Sequence, residues 1–176
     1  AVDPLASLQS FNEETDRRHV RREATPEEVA HLLAFIEQDP QANHNLAGPD
    51  RAMLYRLALG SGFRRGELAS LTPASFDLDS DPPTVTAAAA YSKRRRQDVQ
   101  PIRRDLAELL RPWLAGRPRN ERLFPRLTKH TARMLQKDLD AARGAWIEAA
   151  DEDTNEQQRR KQSDFLRYED TDGRVI

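Results

Sequence analysis

A mainly α-helical chain carrying one small antiparallel β-sheet is the fold this sequence predicts, and three observations carry that expectation. Apolar residues recur at helical spacing in four separate stretches, around 29–36, 53–58, 106–113 and 135–146. Between them, around 76–102, the period shortens to strand-like alternation broken by proline and a run of charge. The 176 residues are enough for one domain with a real core, with 32% charged and 38% hydrophobic residues.

Residues 1–24 are polar without sustained periodicity and include Arg17, Arg18, His19, Arg21 and Arg22, which predicts a linker. Thr25-Pro26-Glu27-Glu28 then has the pattern of a helix start: a capping hydroxyl, a proline in the first turn and a glutamate to close the box. Val29, Leu32, Leu33 and Ile36 follow as one apolar stripe. After a loop at 39–48, Pro49-Asp50 opens a helix through Met53, Leu54, Leu57 and Ala58, apolar enough to be central. Gly60-Ser61-Gly62 ends it, and a short helix is expected over 66–71. Phe76 and Leu78, then 84–91 and 98–102, read as about three strands. Leu106, Leu109, Leu110 and Trp113 give the next helix, which Pro112 kinks or ends. Leu135, Leu139, Ala142 and Trp146 predict a long helix from about 129 to 150. Residues 151–163 are almost all charged or polar and predict a mobile loop, and 164–168 a short element.

A formal net charge of −1 does not announce a polyanionic partner, so any such contact must come from local clustering. The absence of cysteine excludes disulfides, thiolate metal sites and a cysteine nucleophile. His19, His31, His44 and His130 are scattered, so no metal cluster is expected. No apolar run spans a bilayer and the first residues are not a signal peptide, so a cytoplasmic, non-membrane protein is expected.

Two motifs carry chemistry. In Ser61-Gly62-Phe63-Arg64-Arg65-Gly66-Glu67-Leu68 a glycine turn presents an arginine at a helix start. A guanidinium fork there matches two phosphate oxygens. In Tyr91-Ser92-Lys93-Arg94-Arg95-Arg96-Gln97-Asp98-Val99-Gln100-Pro101-Ile102 a hairpin tip carries one lysine and three arginines, a dense positive point able to reach a nucleic-acid groove.

Their order resembles the tyrosine recombinases, also called phage integrases: central helix, Gly-x-Arg-x-Gly-Glu-Leu, short strands, basic hairpin, Pro-Ile, apolar helix. The family's Thr-Gly-Leu-Arg-x-x-Glu-Leu box is matched by residues 61–68, making Arg64 the counterpart of the first catalytic arginine. The family's Gly-Lys-Gly-x-Lys-x-Arg-x-x-Pro hairpin falls in register with Ser92-Lys93 through Pro101, making Lys93 the counterpart of the catalytic lysine. Ser92 replaces a glycine, and Asp98 stands where arginine is common. The resemblance implies an incomplete recombinase catalytic domain over 25–176, with 1–24 leading from an N-terminal DNA-clamping domain. It also implies breakage and rejoining of double-stranded DNA through a phosphotyrosine link, with no cofactor. Arginines stabilise the phosphate oxygens and the lysine protonates the leaving oxygen. Arg65, Arg94, Arg95 and Arg96 are expected to contact DNA, other protomers to join on DNA, and the chain to be monomeric in solution.

The family's second arginine lies in a His-x-x-Arg box, followed by a His or Trp and the tyrosine. His130-Thr131-Ala132-Arg133 has that spacing, but Arg133 falls at about 200° from Leu135, opposite the apolar stripe. Trp146 belongs to the stripe, and Tyr168 stands in a charged context without a following histidine. The expectation is therefore a chain that ends before the box and nucleophile and cannot cut alone. Two other functions fit the same residues: a non-catalytic DNA-binding module and a helical protein-interaction domain.

Overall fold

Six helices and a three-stranded antiparallel sheet are arranged around two apolar clusters in the computed structural model, which describes residues 20–88, 97–150 and 153–176. In chain order these are α1 (Pro26–Gln38), α2 (Gly48–Ser61), α3 (Arg65–Leu68), β1 (Phe76–Asp77), β2 (Thr84–Ala87), β3 (Asp98–Pro101), α4 (Arg104–Leu114), α5 (Thr131–Glu148) and α6 (Thr154–Gln162). The mainly α class with a small sheet is the one the sequence predicts.

The start of α1 is the expected capping box. The Glu28 amide donates to Thr25 Oγ1 at 3.1 Å and the Thr25 amide to Glu28 Oε2 at 2.9 Å. Leu32, Leu33 and Ile36 on its inner face join Leu139 and Ala142 of α5 and Leu166 in one buried cluster. Gly48 lets α2 approach the end of α1. A Cβ there would lie 2.2 Å from the Ile36 carbonyl oxygen and 2.6 Å from that of Asp39, so no side chain fits.

α2 is central, since its residues enter both clusters. Met53, Leu54 and Leu57 pack with Leu68, Leu71, Val85, Ile102, Leu106, Leu110, Phe124 and Met134, while Ala52 packs with α1 and α5. The sheet has the order β1-β2-β3, with Phe76 opposite Val85 and Ala87 opposite Asp98. Val85 and Ala87 alternate inward into the first cluster, the period-two pattern of a strand with one face on the core. α4 runs two residues beyond Pro112 before ending at Leu114.

Residues 154–162 are a helix, not the loop their polarity predicts. Composition argued against an independently stable segment, but α6 is held from its ends and one side. Asp153 Oδ1 caps it by accepting from the amides of Asn155 and Glu156 at 3.0 and 2.9 Å. Glu156 pairs with Arg160 one turn on, and the Arg160 guanidinium lies 5.0 Å over the Trp146 ring. Arg143 of α5 donates to the carbonyls of Arg160 and Lys161 at its C-terminal end. Residues 164–167 form a turn rather than a regular element, with the Arg167 amide donating to the Asp164 carbonyl at 3.0 Å.

Glu28 is 3% exposed and does more than cap. Arg22 holds it with two hydrogen bonds of 3.0 Å, and the Leu166 amide donates to it at 2.8 Å. Burial pushes its carboxyl up, but the Arg22 guanidinium and the Thr25 and Leu166 amides outweigh burial and hold it below its ordinary 4.5. A carboxyl lowered on folding stabilises above its unfolded value and loses that contribution as pH falls through the folded one. The thermal midpoint is therefore expected to fall as pH drops below about 4.5. Glu28→Gln should be less stable at neutral pH and show a flatter acid limb in melts recorded by circular dichroism. An unchanged limb would remove Glu28 from the acid response.

Candidate functional site

The turn carrying Arg64 is built by three neighbours. Gly62 caps α2 in the left-handed region (φ 67°), which glycine adopts without the clash a Cβ would bring, and its amide donates to the Ala58 carbonyl. Ser61 Oγ donates to the Leu57 carbonyl at 2.6 Å and accepts from the Phe63 amide at 3.2 Å. Phe63 then plugs into the first cluster, and Arg64 is turned outward with 68% of its side chain exposed. Glu67, buried beneath, accepts the Arg64 amide at 2.7 Å and fixes the backbone. The Arg64 guanidinium reaches only 3.9 Å from Glu67 Oε1, a loose contact on an exposed group. Arg64 is thus presented to solvent from a fixed backbone. Arg65, also exposed, makes no ion pair with a described residue.

Lys93, Arg94, Arg95 and Arg96 lie outside the described residues, as does Tyr91. The hairpin base is described. Ala87, the last residue of β2, is buried in the cluster that holds Phe63, so the segments leading to Arg64 and into the hairpin leave one common core. Asp98 does not neutralise Arg64; its Oδ1 accepts from Gln100 Nε2 at 2.7 Å.

A second positive run was missed by the motif reading. Residues 117–137 hold seven arginines and lysines against one acidic residue, Glu121. The loop at its start is pinned inward: Leu123, Phe124 and Leu127 are buried, and the Leu123 amide donates to the Leu71 carbonyl at 2.9 Å. Arg117 is tied down as well, 4.1 Å over the Trp113 ring and 2.7 Å from Asp50. Arg126, Lys129, Arg133 and Lys137 are left exposed, with no ion pair to a described residue. The signal was present in the sequence as local charge density, but a near-zero net charge hid it, and His130 and Arg133 were weighed only for the box spacing.

His130 and Arg133 both face outward at the start of α5, as the helical phase predicts. Trp146 packs against the second cluster, its ring centroid 4.7 Å from that of Phe165. Tyr168 packs against that cluster too, and the Tyr55 hydroxyl donates to Asp138. Among the described residues no group of His, Cys, Asp and Glu is arranged to hold a metal ion. No helix among them is long and apolar enough to cross a membrane.

The arginine turn and the β2–β3 pair share one core. Residues 22–167 match the Phage integrase family, and the chain belongs to that family of tyrosine recombinases. No curated protein and no solved structure matches it.

Proposed function

We propose that this chain is part of a site-specific DNA recombinase, with Arg64 and Lys93 as two members of its phosphoryl-transfer site. The observation that carries the reading is the exposed Arg64 guanidinium, held on a fixed backbone in a member of the integrase family. In the reaction a tyrosine oxygen attacks the phosphorus, the new O–P bond forms and the P–O5′ bond breaks. Arg64 stabilises charge on the non-bridging oxygens, and Lys93 gives its proton to the leaving O5′. On this reading Tyr168, in a charged context without a following histidine, and Tyr55, whose hydroxyl donates to Asp138, are not the attacking tyrosine. Residues 1–24 connect to a DNA-clamping domain and 25–176 are the catalytic part, monomeric until protomers meet on DNA in the cytoplasm.

Arg65, the hairpin residues Arg94, Arg95 and Arg96, and the exposed Arg126, Lys129 and Arg133 supply phosphate contacts. Such contacts release counterions, so affinity falls linearly on a log–log plot against salt, with slope about −0.9 per contact. Fluorescence anisotropy with a labelled 30-base-pair duplex of arbitrary sequence, between about 50 and 200 mM salt, should show a steep slope. Arg126→Ala, Lys129→Ala and Arg133→Ala should each weaken binding uniformly across sequences and flatten the slope by about one unit. Absence of salt-dependent binding would favour the protein-interaction reading.

A further inference from the structure

The two ends of the described chain are fastened together in a way that neither the sheet nor the DNA reading uses. The Arg22 amide donates to the Val175 carbonyl at 2.9 Å and the Val175 amide to the Val20 carbonyl at 2.9 Å, a short parallel bridge. Val175 also bridges Glu169, and the Ile176 amide donates to the Tyr168 carbonyl at 3.0 Å. The Arg22 guanidinium then reaches past this bridge to Glu28 and to the Arg167 carbonyl, 2.6 Å away. Glu28 consequently joins the leading arm, the start of α1 and the 165–167 turn through one buried carboxylate.

We propose that residues 20–22 are a latch: docked on Val175 and Glu28 they hold the 166–176 segment in its folded path, and undocking releases it. Two features make this a two-position element rather than another piece of core. The arm has almost no apolar hold. Val20 is 48% exposed, Arg21 is exposed with its guanidinium donating to the Ile176 carbonyl at 2.9 Å, and the anchor is otherwise the Arg22–Glu28 pair with a few bonds to backbone, the profile of a segment that opens below the global free energy. At the other end Leu166 is fully buried in the left-handed region (φ 61°), which is unfavourable for a leucine and persists where surroundings over-determine it. Its amide is spent on Glu28, so the contact that secures the arm also secures this turn. A pull on the chain ahead of Val20 is thereby felt at Val175 and Leu166. The coupling does not depend on the recombinase reading, and its test contains no DNA.

Native-state hydrogen exchange resolved by NMR tests it. In the unaltered chain the amides of Arg22, Leu166, Val175 and Ile176 should open together, at one free energy below that of α2. Arg22→Ala should speed exchange at Leu166, Val175 and Ile176 by about tenfold or more while the amides of α2 and α4 keep their protection. Arg22→Lys, which cannot make the paired bonds to Glu28, should behave alike. Unchanged protection at the three amides overturns the latch. So does a uniform loss that includes α2 and α4, or four amides opening at unrelated free energies in the unaltered chain.

Discussion

Replacing Asp138 with alanine is expected to cost about 3–5 kcal/mol of folding free energy, the range for a buried charge that loses its partner. The reason is Arg51, whose side chain is wholly buried in the first turn of α2. Its guanidinium donates to the carbonyls of Gln41 and Leu46, each at 2.8 Å, and to Asp39 Oδ2 at 2.6 Å. Its Nε lies 3.3 Å from Asp138 Oδ2, close enough to pair charges yet poorly aligned for a hydrogen bond. Asp138 also accepts from Tyr55 Oη at 2.7 Å and from Asn43 Nδ2 at 2.8 Å. Alanine therefore strands a tyrosine hydroxyl, leaves Asn43 Nδ2 with only the Met134 carbonyl, and takes one of two counter-charges from a buried cation. Arg51→Ala should be comparably harmful, and the double variant should cost much less than the sum, because the residues act as one network. Burial, and then the charge and hydrogen bond of Asp138, push the Tyr55 hydroxyl above its ordinary 10.0. A group raised on folding keeps its contribution below the unfolded value and loses it above, so stability should also decline as pH rises beyond about 10. Tyr55→Phe should lose that decline. Urea denaturation checks each of these, and a loss under about 1 kcal/mol for Asp138→Ala would show that the network is dispensable.

That network marks where the sequence stopped being readable. Helix positions followed from periodicity because an apolar stripe has one physical use, burial, and Leu32, Leu57, Leu110 and Leu139 are all inside. The Thr25 box was legible because its partners are three residues apart. Arg51 was not legible, since its acceptors lie outside its helix on the 39–46 loop and its second counter-charge lies on α5, far along the chain, and a lone arginine within a helix reads as surface. α6 failed for a related reason. Its charged composition says nothing of Trp146 and Arg143, which lie on another helix and engage it. For the site, the octet around Arg64 was legible because turn, plug and exposed arginine are all local. The positive face at 126–137 depends on the buried Leu123, Phe124 and Leu127 turning their neighbours outward, which only the fold displays.

Arg64→Ala should lower single-turnover strand cleavage in the recombinase carrying this segment by about 10²–10³-fold, the usual cost of removing one preorganised donor to developing oxyanion charge. The same substitution should leave the thermal midpoint nearly unchanged. The side chain is 68% exposed, and its contact with Glu67, at 3.9 Å, is too long and too well solvated to hold the fold together. That separation of rate from stability distinguishes a group that touches the phosphate from one that shapes the turn. Arg64→Lys should rescue little, because an ammonium offers one point of charge where the guanidinium offers two parallel donors. Arg65→Ala is the internal control, expected to weaken DNA binding while leaving the cleavage rate of bound DNA within a few fold. Glu67→Gln separates the two parts of the turn. Its amide oxygen can still accept the Arg64 backbone N–H at the 2.7 Å position, while the negative charge beside the guanidinium is gone. Cleavage should then survive. Lys93 is probed differently: a 5′-bridging sulfur leaves without a proton, so a duplex carrying it should be cut by Lys93→Ala far better than ordinary DNA is. If Arg64→Ala and Arg65→Ala reduce the rate equally, the octet is only a basic patch and the catalytic assignment of Arg64 fails.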